Sequence, residues 1–79
     1  MKAKIFVSFK EGVLDPQGKT IKNTIVSLGY RVVEEVRQGK YFELTLNDLP
    51  REKAEELVKE IARKILTNPI IEEFRYQIE

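Results

Sequence analysis

The amino-acid sequence predicts an α+β chain, a two-layer sandwich with element order β-α-β-β-α-β. Three observations carry this. Several short segments alternate polar and apolar residues at period two, two longer ones carry apolar residues at helical spacing between capping and breaking residues, and Gln38-Gly39 separates two strand-like segments as a short hairpin would. With right-handed crossovers, that order gives a ferredoxin-like arrangement: one four-stranded antiparallel sheet with two helices on one face. Seventy-nine residues make a single domain, residues 1–79, with no linker, repeat or low-complexity tract.

The first strand is expected at residues 2–9, KAKIFVSF, with Ala3, Ile5, Val7 and Phe9 on one face and Lys2, Lys4, Phe6 and Ser8 on the other. Asp15 suits an N-cap, Pro16 the first helical position and Gly29 the residue just past the helix end. Between them Ile21, Ile25 and Leu28 form a narrow apolar stripe, so a helix is predicted over 16–28. Residues 31–37 and 40–46 read as the two strands of a hairpin. The second alternates cleanly (Phe42, Leu44, Leu46 against Tyr41, Glu43, Thr45), while Glu34 and Glu35 spoil the first and suggest a bulge. Asn47 or Asp48 is expected to cap a second helix with Pro50 near its start and a wide stripe of Ala54, Leu57, Val58, Ile61, Ala62, Ile65 and Leu66. Asn68-Pro69 stops it. A last strand at 70–78 places Phe74, Tyr76 and Ile78 on one side. The core is expected from Ile5, Val7, Ile21, Ile25, Leu28, Phe42, Leu44, Leu57, Val58, Ile61, Ile65 and Phe74. The other sheet face shows Phe6 and Tyr41 among charges, a surface better suited to a partner protein than to water alone.

Composition narrows the chemistry. There is no cysteine, which excludes disulfides and thiolate metal sites, and no histidine, which removes the usual general base, pH switch and metal ligand. Fourteen basic against 13 acidic residues leave a net charge of +1, which argues against a dedicated polyanion binder. No apolar run approaches the roughly 20 residues of a membrane span, and no secretory pattern opens the chain, so a cytoplasmic protein without membrane contact is expected. Small size makes oligomerisation a natural support for stability.

The stretch GVLDPQGKT at 12–20 resembles a phosphate-binding P-loop but fails its requirements. Five residues rather than four separate Gly12 from Gly18, Pro16 offers no N–H, Asp15 would repel phosphate, and Lys19 falls inside the helix. It reads better as a capped strand-to-helix turn. An RNA-binding module of the same fold would stack bases on aromatics of the central strands; Phe6 and Tyr41 are placed for that, but Glu43 takes the next position and the electrostatic attraction is missing. The pairs Glu34-Glu35 and Glu72-Glu73 lie on strands, where neighbours point to opposite faces, and Glu55-Glu56 lies on the charged side of a helix, so solvated surface is the reading for all three.

Taken as a set, GVLDPQG at 12–18, LGY at 28–30, VRQGK at 36–40 and LTNPI at 66–70 followed by Glu72 resemble the PurS family, the small subunit of phosphoribosylformylglycinamidine synthase, over the whole chain. The resemblance implies a subunit of a glutamine-dependent ligase of purine biosynthesis, with no catalytic residues, metal or cofactor of its own. It implies a PurL-type synthetase partner that uses ATP and Mg2+ to activate formylglycinamide ribonucleotide. It also implies a PurQ-type glutaminase partner that supplies ammonia, the small subunit joining the two and assisting ammonia transfer. A homodimer or tetramer is implied as well. Gly12, Val13, Leu14, Asp15, Pro16, Gln17, Gly18, Arg37, Lys40, Asn68 and Pro69 are then candidate subunit-docking residues. Phe6 and Tyr41 are candidates for self-association, with the edge strands as the competing route. A small-molecule-sensing regulatory domain of the same fold is the alternative, beside the RNA-binding module.

Overall fold

A computed structural model describes all 79 residues. Strand β1 (Lys2–Phe9) is followed by helix α1 (Pro16–Ser27), strand β2 (Gly39–Thr45), helix α2 (Arg51–Ile61) running into a π-helical turn (Ala62–Leu66), and strand β3 (Glu72–Ile78). The sheet is antiparallel with order β2-β1-β3, β1 lying central because its alternating Ala3, Ile5 and Val7 are wholly buried on one face.

The expected strand at 31–37 does not form, so the sheet has three strands, not four. The cause lies at Gln38-Gly39. A two-residue hairpin turn needs a left-handed backbone in its loop, yet only Gly12 and Gly29 have positive φ, so Gly39 continues as extended chain. Residues 31–38 therefore enter β2 as an unpaired ribbon.

Helix α2 packs on the sheet through Ala54, Val58 and Ala62, an i, i+4 row of small side chains that brings the helix close enough to bury Ile5 and Val7. The N-cap is Pro50 and not the expected Asn47 or Asp48, because a residue before proline is kept out of the helical region and Leu49 cannot open the helix. At the other end Thr67 N–H and its Oγ1 both donate to the Ala62 carbonyl, at 3.0 and 2.9 Å, closing a π turn. The extra residue rotates the stripe. Leu66 then meets the core and Ile65 is turned out.

Helix α1 makes almost no contact with the sheet, so its residues fall outside the core: Leu28 is 71% exposed, Ile21 is exposed and Ile25 half-buried. Leu57 is likewise exposed at the flank of α2, whereas Phe42, Leu44, Ile61 and Phe74 are half-buried. Ala3, Ala54, Ala62 and Ile78 complete the buried cluster. The molecule is long, 49 × 25 × 14 Å, and its radius of gyration of 16.0 Å exceeds the roughly 12 Å of a compact chain this size.

Truncation of Ile5, fully buried, to alanine is expected to cost about 2–5 kcal/mol. Ile65→Ala is expected to stay within about 0.5 kcal/mol, since its side chain is already in solvent. Denaturant unfolding of the two variants checks the rotation of the α2 stripe.

A clasped strand-to-helix turn and the loops beside it

Most of the candidate docking residues gather at one end of the sheet. Strand pairing opposes Ser8 to Gly39 and Phe9 to Glu72, so the end of β1 and the starts of β2 and β3 lie side by side. Three loops meet there: 10–15, 36–38 and 67–71.

Asp15 organises the first two. One carboxylate oxygen accepts the Gly18 N–H at 2.9 Å, the expected N-cap bond, and the other accepts the Gln38 N–H at 2.9 Å. These two backbone donors, Gln38 first, hold the Asp15 carboxyl below the usual carboxylate range, with the Arg37 guanidinium assisting. The helix start is therefore bonded to the ribbon through one side chain.

Gly18 lets the two backbones approach. A Cβ there would stand 2.2 Å from the Val36 carbonyl oxygen and 2.8 Å from an Asp15 carboxylate oxygen. It is the only buried residue of α1. Gly12, by contrast, serves the turn through a left-handed φ of 82° with open space around it. Arg37 donates to the Phe9 carbonyl, tying the ribbon to the end of β1.

Glu72 organises the third loop. One of its oxygens accepts the Asn68 N–H at 2.7 Å, and the other lies 3.4 Å from Lys40 Nζ, so β3 holds both the α2–β3 loop and the start of β2. Asn68 Oδ1 accepts the Ile70 N–H at 3.1 Å in an Asx turn, and Lys10 Nζ donates to the Pro69 carbonyl at 2.7 Å. Val13, Leu14, Pro16 and Gln17 complete the turn, with Leu14 and Pro16 exposed.

The roles of Glu72, Lys10 and Gln38 are not in the sequence reading. Glu72 was legible, since strand parity puts it on the side of Phe74 and Tyr76, facing the helix and away from solvent. Gln38 was not, because its part depends on the turn that fails to form. Between the turn and the ribbon lies an open cleft of about 660 Å³ lined by Glu11, Lys19, Lys22, Glu34, Glu35 and Arg37 among others, both charge signs interspersed. It holds no cluster of acidic residues spaced for a metal ion.

On the open sheet face Phe6 and Tyr41 do meet, with ring centroids 5.1 Å apart, and Arg75 lies over the Phe6 ring at 5.4 Å. Ion pairs Lys4–Glu79 at 2.8 Å and Lys2–Glu43 at 3.3 Å surround them. This face is already knitted within one chain.

Gly18→Ala is expected to separate the ribbon from α1, because its added methyl collides with backbone rather than with a movable side chain. Amide exchange should then speed up at Gln38, while Gly12→Ala, strained but uncrowded, leaves Gln38 protected.

The sequence and the fold both match known proteins. The family model described as "PurS: Phosphoribosylformylglycinamidine (FGAM) synthase" matches residues 2–79. The phosphoribosylformylglycinamidine synthase subunit PurS of Bacillus subtilis is 46% identical over 78 residues, covering 99% of this chain and 92% of that one. A crystal structure of B. subtilis PurS superposes with a TM-score of 0.88, over 99% of this chain and 96% of that one. A chain in the structure of PurLQS from Thermotoga maritima gives a TM-score of 0.87 at 33% identity, over 96% and 93%. The chain thus belongs to the PurS family, the small subunits of phosphoribosylformylglycinamidine synthase, a ligase of purine biosynthesis.

Proposed function

We propose that this chain joins a PurL-type synthetase to a PurQ-type glutaminase and assists the passage of ammonia between them. Glutamine-derived nitrogen then amidates formylglycinamide ribonucleotide at the expense of ATP. The observation that carries the reading is the likeness in sequence and fold to a chain of a PurLQS structure, the name PurLQS itself joining the three subunits. The residues agree with a non-catalytic part. The chain has no cysteine or histidine to serve as nucleophile or base, and the one loop that approaches a phosphate-binding pattern spends its helix N-terminus on Asp15. ATP and Mg2+ belong to the synthetase in this reading, and this subunit holds no cofactor.

The end of the sheet where the three loops meet is the docking surface in this account. Its backbone is fixed by Asp15 and Glu72 before any partner arrives, so little ordering entropy is lost on contact. Leu14 and Pro69 stand exposed on it, with Arg37 and Lys40 beside them.

Alone, the chain is expected neither to cleave glutamine nor to hydrolyse ATP. Added to the synthetase and glutaminase of its own organism, it should be required for glutamine-dependent amidation, while amidation from high ammonium should depend on it far less. Steady-state rates with the two nitrogen sources check this. Equal dependence of both, or of neither, contradicts a role in ammonia transfer.

A further inference from the structure

The cleft between the turn and the ribbon differs from the rest of the surface in how its charges are arranged. Elsewhere opposite charges find one another: Lys2 with Glu43, Lys4 with Glu79, Lys40 with Glu72 and Lys64 with Glu60. In the cleft, Lys19 and Lys22 stand on α1, Glu34 and Glu35 on the ribbon and Glu11 on the turn. None of these five pairs with another. Asp15 and Arg37 also line it, but both are engaged, Asp15 by the Gly18 and Gln38 N–H groups and Arg37 by the Phe9 carbonyl.

Lys22 is half-buried and lines both this cleft and a second one of about 490 Å³, as does Glu34, so the two clefts run together along α1. A lysine that gives up part of its hydration without a carboxylate partner is unsatisfied. The two walls are also fixed in place. Asp15 fastens α1 to the ribbon, and the Val36 carbonyl lies against Gly18, so the free lysines and glutamates are held apart on separate elements before any ligand arrives.

The lining decides what kind of ligand fits. Only 3 of its 11 residues are hydrophobic, so burial of an apolar body contributes little. A phosphate or other bare anion would meet three free carboxylates, and the helix N-terminus that could hold it is already taken by Asp15. A bare cation would meet two lysines. A molecule that carries both charges satisfies each wall, and the volume of about 660 Å³ falls within the roughly 300–1,000 Å³ of small-molecule sites.

We propose that this cleft binds a small zwitterion of the amino-acid class, its carboxylate received by Lys22 and Lys19 and its ammonium by Glu34 and Glu35. Bound there, the ligand ties α1 to the ribbon at a second place beyond the Asp15 clasp. The site is open to solvent, so its dissociation constant is on the order of millimolar and rises with salt.

The experiment is an NMR titration of the isotope-labelled full chain. Alanine and γ-aminobutyrate are the zwitterions; butyrate and butylammonium, at equal ionic strength, carry one charge each. At least one zwitterion is expected to move the amides of Lys19, Lys22, Glu34 and Glu35 along one saturating curve. Each single-charge probe should bind about threefold more weakly or less. Lys22→Gln and Glu35→Gln should each weaken the zwitterion about threefold, with the Gly18 and Gln38 amides unshifted, while Lys53→Gln on the exposed side of α2 leaves binding unchanged. Shifts that stay linear with both zwitterions overturn the proposal. So does a single-charge probe that binds as well, binding that both cleft variants leave intact, or an equal loss in Lys53→Gln.

Discussion

The carboxylate of Asp15 is the constraint on which the layout of this molecule depends. It accepts the N–H of Gly18, which any N-cap would do, and also that of Gln38, twenty-three residues on. The second bond decides the topology. With Gln38 fastened to the start of α1, the chain leaves 31–37 lying along the helix and passes into β2 with no turn. The ordinary strand-to-helix cap thus becomes a clasp that holds α1 and the ribbon together as an arm beyond the sheet. Gly18 makes the clasp possible sterically, and Arg37 reinforces it at the end of β1.

The remaining core is correspondingly small and has to be packed closely. Ala54, Val58 and Ala62 lay one row of α2 against Ala3, Ile5, Val7 and Ile78, where the small alanines reduce the distance between helix and sheet. Phe42, Leu44, Phe74 and Tyr76 surround that cluster without being closed over. Hydrogen bonds at the loop end do what burial does not. Glu72 fixes Asn68 and Lys40, and Lys10 fixes Pro69, so a surface made of loops keeps a defined shape in a chain with little interior.

Much of the fold was legible in the sequence. Period-two alternation located β1, β2 and β3 to within a residue or two, and Asp15-Pro16 marked the start of α1 because capping is a local effect. The failures share a physical cause: each depended on what a segment meets elsewhere. Val32, Val33 and Val36 have strand propensity, but propensity does not say whether Gln38-Gly39 turns. The stripe of α2 was read as uniformly helical, and the π turn at Thr67 rotated Ile65 into solvent. The stripe of α1 was real, but no surface of the same chain covers it. The candidate docking residues were found through family resemblance, and the structure gathers most of them at one end. Glu72, which anchors that end, was legible from the strand parity that separates it from Glu73. Solvated surface was read for both carboxylates, although parity turns Glu72 to the side of Phe74 and Tyr76.

The central claim is that one carboxylate holds helix and ribbon together, and its titration tests it most directly. Hydrogen bonds from two backbone donors favour the ionised form, so the folded-state pKa lies below the ordinary 3.8. A depressed carboxylate contributes stability above the unfolded value, and that contribution is lost as pH falls through the folded one. An NMR titration following the Asp15 carboxyl carbon together with the Gly18 and Gln38 amides should show all three moving at one shared midpoint below 3.8. A Gln38 amide that stays flat while Gly18 titrates would contradict the clasp, as would a midpoint at or above the ordinary value.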